Sequence, residues 1–318
     1  MNALDDVKYL KVQKEEANVK LHTLRQNGFL LDLYEIRKDE NHVYIPVSSE
    51  YESENLITMS VEPREQKVMP TGHAGSFDLI GHIALIHERR GLDTDSVVSF
   101  ILKSKPNIRT IYLDRGIHGD MRLRDLQILH GEDNSLTTYR ENNIIMKVDV
   151  KKVYFSPRLS TERMLLAKAV KDGEKIYDMF CGIGPITLNI GRTRNCKIFA
   201  CDMNPDAIKL MIENLSSNKL MSTVFVNEDD SYAVLEELNS MDRIIMNNPV
   251  SKYKDLDRVV AKLKLGGRLN IYFVDNQEGI GNEMSKLLEY GLELEMKRVV
   301  HGYSSSRSLY SLQYRRTK

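Results

Sequence analysis

The feature that most constrains this chain is an alternation of apolar runs and helical stretches that begins near residue 151. Helical segments such as PDAIKLMIENLSSNK and EGIGNEMSKLLEYG separate the apolar runs. Five of these runs have the length of a strand: KIYDMF, KIFACDM, STVFVNED, DRIIMNN and GGRLNIYFV. This order predicts a Rossmann-like α/β domain at 151–318, with a mostly parallel sheet covered by helices on both faces. Ligands of such a sheet bind at the carboxyl ends of its strands.

The sequence before this domain predicts two smaller units. Residues 7–47 have the pattern of a βαββ unit, which we assign to a small N-terminal domain at 1–60. Residues 48–68 are polar without a strong period, so we expect a linker there. Short strands and one helix at 93–104 then predict an α+β domain at 69–150.

Composition excludes several classes of protein. The chain of 318 residues has no apolar run long enough to cross a bilayer. Its first residues carry Asp5 and Asp6 and no apolar signal core, so we expect a cytoplasmic protein without a signal peptide or a membrane partner. The cysteines lack CxxC or CxxH spacing, which argues against a disulfide framework and a metal site: Cys181, Cys196 and Cys201.

The charge distribution is informative only locally. The net charge is +0, but residues 103–124 hold six basic and two acidic side chains, a local +4. Such a patch suits a nucleic acid recognised by shape, although a solvated surface explains the charge equally well. None of the eight histidines has metal-like spacing, and we assign none a catalytic role.

The first strand of the α/β domain ends in a glycine-rich loop, DMFCGIGPIT. Such a loop lets a ligand approach the backbone and the amides of a helix N-terminus. Asp178 at the strand end would repel a pyrophosphate but suits a cation, and Pro185 removes an amide that a phosphate would use. We therefore assign Asp178, Phe180, Gly182 and Gly184 to the site of a cationic nucleoside.

The next two strands also end at acidic residues. Asp202, followed by Asn204, stands where a carboxylate commonly binds a ribose diol. Asp229 or Asp230 could accept a hydrogen bond from an adenine amino group after the third strand. Each acid alone is explained as a helix cap or turn residue, but three successive strand ends with acids are harder to explain in this way. S-adenosylmethionine matches acids at all three.

The segment VYFSPRLSTERMLLAKAV precedes the first strand of this domain. Pro157 ends an extended stretch, and Ser160 or Thr161 can cap the helix that follows. Glu162 in the first turn is favoured by the helix dipole in any protein, whereas Arg163 at a helix start requires an anionic partner.

Several motifs together resemble one enzyme family. They are, in chain order, GDMRLRDLQILHGEDNSLTTYRENN, VDVKKVYFSPRLSTER, YDMFCGIGPIT, CDMNPDAI and IIMNNP. The sequence is thereby similar to the archaeal and eukaryotic type of tRNA (guanine-N1)-methyltransferase, which modifies guanosine 37, next to the anticodon. The resemblance covers residues 110–275 and extends more loosely to the N-terminal unit and to the C-terminal GYSSSRSLYSLQY.

This resemblance implies roles for individual residues. Glu162 corresponds to the proposed general base, and Arg122 in MRLRDL to the arginine that binds the guanine oxygen. Arg163 is expected near the cofactor. Asn247 is expected to contact the target base beside the cofactor, and Pro249 to fix the turn that carries it. The implied cofactor is S-adenosylmethionine, and the implied partner is tRNA, docked through the N-terminal domain by a protein expected to act as a monomer.

Four alternatives remain open from the sequence. The related aminocarboxypropyl transferase of wybutosine synthesis uses the same cofactor but moves a different group. A bifunctional relative would also methylate a tricyclic guanine derivative at position 37, and Asn248, where the family usually has Leu or Pro, favours this possibility. The third is a tRNA-binding protein with a decayed catalytic domain. The fourth, a nicotinamide-dependent oxidoreductase, is disfavoured by Asp178 and Pro185.

Overall fold

The computed structural model describes residues 4–31, 33–62, 76–88, 90–119, 121–249, 253–302, 304 and 306–318. Tertiary contacts divide the chain into two compact units, residues 1–71 and 72–318. No helix in the described ranges is long and apolar enough to span a membrane.

The first unit is a four-stranded antiparallel sheet with one helix. Its elements are β1 (Asp5–Gln13), α1 (Ala17–Gln26), β2 (Arg37–Lys38), β3 (His42–Val47) and β4 (Leu56–Val61), with strand order β2-β3-β1-β4. The predicted βαββ unit is confirmed. The prediction of a linker at 48–68 is wrong over residues 56–61, which form β4. This strand is stabilised by hydrogen bonds to β1, which its own weakly periodic sequence does not reveal. Residues 63–68 of that linker lie outside the described residues.

The second unit begins with a four-stranded sheet and a hairpin. The elements are β5 (Phe77–Ile80), β6 (Ile83–His87), α2 (Thr94–Ser104), β7 (Thr110–His118), β8 (Leu123–His130), β9 (Leu136–Glu141) and β10 (Ile144–Asp149). The sheet order is β5-β6-β7-β8, and β9 pairs with β10. The helix predicted at 93–104 is confirmed as α2, whose N-cap Asp93 accepts a hydrogen bond from the backbone of Ser96. Sequence patterns missed β8, because its outward face carries polar residues without a clear alternation.

The α/β part of the second unit contains a seven-stranded sheet. A 3₁₀ turn (Pro157–Leu159) leads into α3 (Ser160–Ala169), and then strands and helices alternate. They are β11 (Lys175–Asp178), α4 (Pro185–Thr193), β12 (Lys197–Asp202), α5 (Pro205–Ser216), β13 (Thr223–Glu228), α6 (Ser231–Glu237), β14 (Met241–Met246), α7 (Leu256–Ala261), β15 (Leu263–Asp275), α8 (Gln277–Glu289), β16 (Leu292–Gly302) and β17 (Ser308–Arg316).

The strand order of this sheet is β13-β12-β11-β14-β15-β17-β16. Strands β11 to β15 pair in parallel, whereas β17 inserts antiparallel between β15 and β16. The mostly parallel sheet predicted from the sequence is therefore confirmed, with an antiparallel end that the strand–helix alternation did not indicate. Strands β16 and β17 are separated by residues 303–307 alone, which are too few for a crossover helix, so their antiparallel pairing does not continue the strand–helix pattern.

Apolar side chains cover both faces of the sheet. Neighbouring residues of β11 point to opposite sides, so that Tyr177 belongs to the core under α6, α7 and α8, whereas Ile176 belongs to the core under α3 and α4. The helices on both faces are confirmed. The predicted cap of α3 is wrong, because the 3₁₀ turn runs directly into the helix and neither Ser160 nor Thr161 makes a capping hydrogen bond.

Candidate active site

A cavity of about 310 Å³ lies at the carboxyl ends of β11, β12 and β14. Nine of the residues predicted for the site lie on its wall: Arg122, Arg163, Phe180, Gly182, Asp202, Asn204, Asp229, Asn247 and Pro249. Four others do not line it: Glu162, Asp178, Gly184 and Asp230. The cavity thus brings together residues from four strand ends and from the loop before β8, as expected for an α/β sheet.

Asp202 and the glycine-rich loop form one end of the cavity. The Asp202 carboxylate accepts hydrogen bonds from the backbone N–H of Gly182, at 2.7 Å, and of Asn204, at 3.0 Å. Burial raises the pKa of Asp202, while these amides favour its charged form. Gly182 has φ +53°, and a Cβ added there would meet no atom within 4 Å, so glycine leaves space for a ligand beside the carboxylate.

Asp230 fulfils the capping role that was the ordinary explanation for each acid alone, and Asn204, for which no such role was predicted, is also a helix cap. The Asn204 side chain accepts hydrogen bonds from two amides at the start of α5 and donates one to the Lys152 carbonyl. Asp230 caps α6 in the same way, away from the cavity, whereas Asp229 lies on the wall. Of the two alternatives for the third strand end, the structure therefore favours Asp229.

Asp178 lies behind the cavity wall and not on it. Its side chain is fully buried, one oxygen accepts a hydrogen bond from Thr187 at 2.9 Å, and the other has no partner. Burial raises the pKa of Asp178 to about 7. Gly184 likewise supports the loop from behind, since it begins α4 with φ +88° and a Cβ there would lie 3.1 Å from Met211. Asp178 and Gly184 therefore support the conformation of the loop and do not line the cavity.

Arg163 has the anionic partner that its position requires. Its Nε lies 2.6 Å from Oε1 of Glu141, its Nη2 contacts Oε2, and both side chains are buried. Asn189 also donates to Glu141 at 3.0 Å. Glu141 is the last residue of β9, and sequence analysis assigned it no role although it lies in the motif that ends in TTYRENN. Because Glu141 neutralises the charge of Arg163, the arginine side chain gives the wall its shape and does not present a free positive charge to the cavity.

Arg122 also lies on the cavity wall, in the turn before β8. Its backbone has φ +57°, an uncommon conformation for a non-glycine residue, and its N–H donates to the Gly119 carbonyl. The guanidinium carbon lies 4.0 Å from the centre of the Tyr154 ring, and Nε is buried without a partner. Stacking on Tyr154, which sequence analysis did not identify, fixes the plane of this cation.

A chain of ion pairs connects the four-stranded sheet β5-β6-β7-β8 to the 3₁₀ turn that precedes α3. Arg158 donates to Asp78 at 2.7 Å, and His87 lies 3.2 Å from Asp78 and 3.3 Å from Asp114. Asp114 in turn pairs with Arg124, two residues beyond Arg122. Hydrogen bonds to Asp114 and Asp78 raise the pKa of His87. This network links the turn of Arg122 to the segment that carries Glu162.

The turn after β14 presents two amides to the cavity. Asn247, Asn248 and Pro249 line the wall, and the Pro249 carbonyl accepts a hydrogen bond from Val274. The Asn248 N–H donates to the Tyr253 hydroxyl at 3.0 Å, while its side-chain Oδ1 is buried without a partner. An orphaned amide oxygen is costly unless a ligand satisfies it.

Glu162 is buried directly behind the wall formed by Leu159 and Arg163. Its carboxylate accepts hydrogen bonds from Tyr272 on β15, Arg298 on β16 and Ser311 on β17. The site therefore combines a carboxylate end, a cation stacked on an aromatic ring, two free amide side chains and a buried carboxylate. This set can bind a cationic nucleoside and a second, planar polar ligand that loses a proton.

The comparisons with known proteins agree with this geometry. The model of the TRM5/TYW2 methyltransferase domain matches residues 137–298, which is half of the chain. The chain belongs to the TRM5/TYW2 methyltransferase family. Two further models match residues 10–55, as the tRNA methyltransferase 5 N-terminal domain, and residues 60–134, as the TYW2 N-terminal domain.

Relatives within the TRM5/TYW2 family cover nearly the whole chain. A tRNA (guanine(37)-N(1))-methyltransferase Trm5b from Pyrococcus abyssi is 31% identical over 93% of this chain and 94% of its own length. Its crystal structure gives a TM-score of 0.69 and covers 98% of this chain and 100% of that chain, at 28% identity. A solved complex of aTrm5 with tRNALeu gives a TM-score of 0.68 at 25% identity and covers 96% of this chain and 99% of that one.

A third relative bears on substrate range. The tRNA (guanine(37)-N(1))/4-demethylwyosine(37)-methyltransferase Taw22 from Nanoarchaeum equitans is 35% identical over 62% of this chain and 68% of its own length. As a TRM5/TYW2 family member, the chain is an S-adenosylmethionine-dependent methyltransferase of class I fold. The predicted family, enzyme class and cofactor are confirmed, and the oxidoreductase alternative is excluded.

Proposed function

We propose that this protein transfers the methyl group of S-adenosylmethionine to N1 of guanosine 37 in tRNA. The observation that carries the proposal is the cavity itself, because Asp202, Arg122 and Asn247 all lie on its wall. The relative from Pyrococcus abyssi is named for this activity, and the solved complex of aTrm5 contains tRNA.

The cofactor side of the cavity has the hydrogen-bond acceptors that the adenosine part of the cofactor needs. Asp202 would hold the ribose hydroxyls, Asp229 the adenine amino group, and Phe180 and Asn204 would complete the wall. The empty space at Gly182 allows close approach of the backbone. When bound, the cofactor supplies an electrophilic methyl group on a sulfonium. Acidic side chains favour this cation over a phosphate-bearing cofactor.

The residues assigned to the target base suit methylation at a ring nitrogen that carries a hydrogen. Guanine N1 carries a hydrogen, so the new N–C bond forms as the N1 proton leaves and the S–C bond breaks. We assign the proton to Glu162 as general base, which typically contributes about 10²–10⁴-fold to the rate. Negative charge that develops on O6 is stabilised by the Arg122 guanidinium, with Asn247 on the base edge and Pro249 fixing the turn. Water then takes the proton from Glu162.

The remaining parts of the proposal concern tRNA binding. The target base must leave the stack of the anticodon loop, which costs a few kcal/mol and is easier in a single-stranded loop. We assign the tRNA body to the N-terminal domain at 1–60, the anticodon region to the α+β domain at 69–150 and the chemistry to residues 151–318. We propose that the protein acts as a monomer in the cytoplasm and without a metal, and light scattering of the tRNA complex tests the first point.

Labelled cofactor decides between the proposed methyltransferase and the related aminocarboxypropyl transferase. The protein is incubated with unmodified tRNA transcript and S-adenosylmethionine labelled either on the methyl or on the carboxyl carbon, and the nucleosides are separated. Methyl label in 1-methylguanosine is expected, whereas carboxyl label in the RNA would show the other transferase. A transcript with adenosine at position 37 should accept no methyl group, and retained transfer would show that the site is wrong. Binding of tRNA without any transfer would support the decayed enzyme.

A second candidate function is methylation of 4-demethylwyosine at the same nucleotide. The observation that favours it is the unpartnered Oδ1 of Asn248 beside Asn247, because a larger base could satisfy this oxygen. The Taw22 relative is named for both activities. Incubation with tRNA that carries 4-demethylwyosine and methyl-labelled cofactor, followed by mass spectrometry, tests this function separately from the first.

A further inference from the structure

The Glu162 carboxylate is held by three side chains of the C-terminal strands. Oε1 accepts hydrogen bonds from the Ser311 hydroxyl at 2.7 Å and from the Tyr272 hydroxyl at 3.1 Å. Oε2 lies 2.6 Å from Nη1 of Arg298. These donors come from three different strands, far from Glu162 in sequence, so the contacts depend on the sheet.

The register of the sheet explains why the three donors meet at one point. Ser311 of β17 pairs with Tyr272 of β15 on one side and with Arg298 of β16 on the other, so that they form one row across the strands. The neighbouring row on the same face consists of Val274, Leu309 and His301, all of which line the cavity.

The two rows place Glu162 relative to the reaction centre. In β15 and β17 the two rows are two residues apart, so their members share a face and lie about 6.6 Å apart along the strand. In β16 they are three residues apart, because a β-bulge between Val299 and His301 shifts the register. The row of Val274, Leu309 and His301 therefore lies on the cavity side of the row that holds Glu162. A carboxylate at this depth has little freedom of its own, and its orientation is set by its donors.

We propose that Tyr272, Ser311 and Arg298 are positioning residues for Glu162, an inference that rests on the proposed function. Tyr272 and Ser311 hold Oε1 by hydrogen bonds. Arg298 holds Oε2, which is the oxygen that receives the N1 proton. The exposed fractions support this division, since Tyr272 is 2% and Ser311 1% exposed, whereas the Arg298 side chain is 33% exposed. Arg298 is thus the partner that can move away when the base arrives, while the two hydroxyls stay.

Single-turnover methyl transfer to unmodified tRNA tests this arrangement. Ser311→Ala, Tyr272→Phe and Arg298→Gln should each slow the transfer step, by about 10²-fold where the misplacement reaches 1 Å. The dissociation constants of S-adenosylmethionine and tRNA should stay close to those of the wild type, since none of the three side chains lines the cavity. Ser311→Thr keeps the hydroxyl and Arg298→Lys keeps a cation, so both should restore most of the rate.

Arg268→Gln is the matched control. Arg268 of β15 pairs with Glu295 of β16 at 2.9 Å with a 29% exposed side chain, on the same sheet as Arg298 but without a contact to Glu162. This variant should transfer the methyl group at the wild-type rate. Wild-type rates in Ser311→Ala and Tyr272→Phe would overturn the inference, and so would losses that follow the melting temperature or cofactor affinity in parallel. If the wild-type enzyme forms a product other than 1-methylguanosine, the proposed function fails. The transfer rates of the variants relative to the wild type still decide whether these residues position Glu162.

Discussion

Arg163 and Glu141 form a two-point ion pair inside the protein, between the first turn of α3 and the end of β9. Both side chains are almost completely buried, so neither charge has water as an alternative partner. Asn189 of α4 completes the shell of Glu141. This pair joins the hairpin β9–β10 to the segment that carries Glu162, and it holds Arg163 in the cavity wall.

Glu141→Gln should destabilise the protein strongly, because it leaves the Arg163 cation buried without a counter-charge. Removing one partner of a buried pair costs about 3–5 kcal/mol. The control is Glu213→Gln, which removes an exposed pair with Lys147 and should cost about 0–1 kcal/mol. Urea denaturation measures both free energies of unfolding. Equal losses in the two variants would contradict the structural role of this pair.

Glu162→Gln should slow methyl transfer while cofactor affinity remains nearly unchanged. The amide keeps the shape of the side chain but cannot accept the N1 proton, so the expected loss is about 10²–10⁴-fold. Single-turnover rates give the chemical step, and calorimetric titration with S-adenosylhomocysteine gives the affinity. A parallel loss of affinity would instead assign Glu162 to a structural or binding role.

Arg122→Lys should reduce the rate of methyl transfer more than it reduces tRNA affinity. Lysine keeps the charge, but it loses the planar guanidinium that stacks on Tyr154 and to which we assign the stabilisation of O6. Removal of one such stabilising donor typically costs about 10²–10³-fold in rate. Rates at saturating tRNA separate the two effects. If only tRNA affinity falls, Arg122 binds the tRNA backbone and does not stabilise the charge on O6.

Asp178 should make stability depend on pH. Its folded pKa of about 7 lies above the value near 3.8 of the free carboxyl group, so the folded state binds more protons between these values. The free energy of unfolding should therefore fall as pH rises from about 4 to 7, by up to about 1.4 kcal/mol per pH unit.

Asp178→Asn removes this titration while an amide oxygen can still accept the Thr187 hydrogen bond. Denaturation of both proteins at several pH values gives the difference in stability, in which all other titrating groups cancel. The wild type should lose its stability relative to the variant as pH rises. A difference that stays constant with pH would refute the assigned cause.

Asn248→Leu should separate the two candidate substrates. The substitution restores an apolar residue at the position where the family usually has Leu or Pro, and it removes an oxygen that has no partner in the protein. Methylation of guanosine 37 should stay nearly unchanged, whereas methylation of 4-demethylwyosine should fall. Mass spectrometry of both tRNAs measures the products. An equal loss on both substrates would show that Asn248 supports the Asn247 turn instead of substrate range.

Much of the fold was predictable because it depends on local patterns. Apolar runs of strand length and amphipathic helices indicated β11 to β15 and their crossovers, including the helical stretch from Pro205 that forms α5. Strand β8, which follows Arg122, and strand β4 were not predicted. Their pairing energy comes from neighbouring strands, so their own sequences carry only a weak alternation.

For the site, the sequence determined which residues stand at the strand ends: Asp202, Asp229 and Asn247 reach the cavity because parallel strands end on one edge of the sheet. Only the tertiary structure decided the partners of the charged residues. Glu141 beside Arg163, and the row of Tyr272, Ser311 and Arg298 around Glu162, depend on how distant strands align. Local sequence encodes whether a residue is buried and in which element it lies, but the side chain that meets it across the core is fixed by register and strand order.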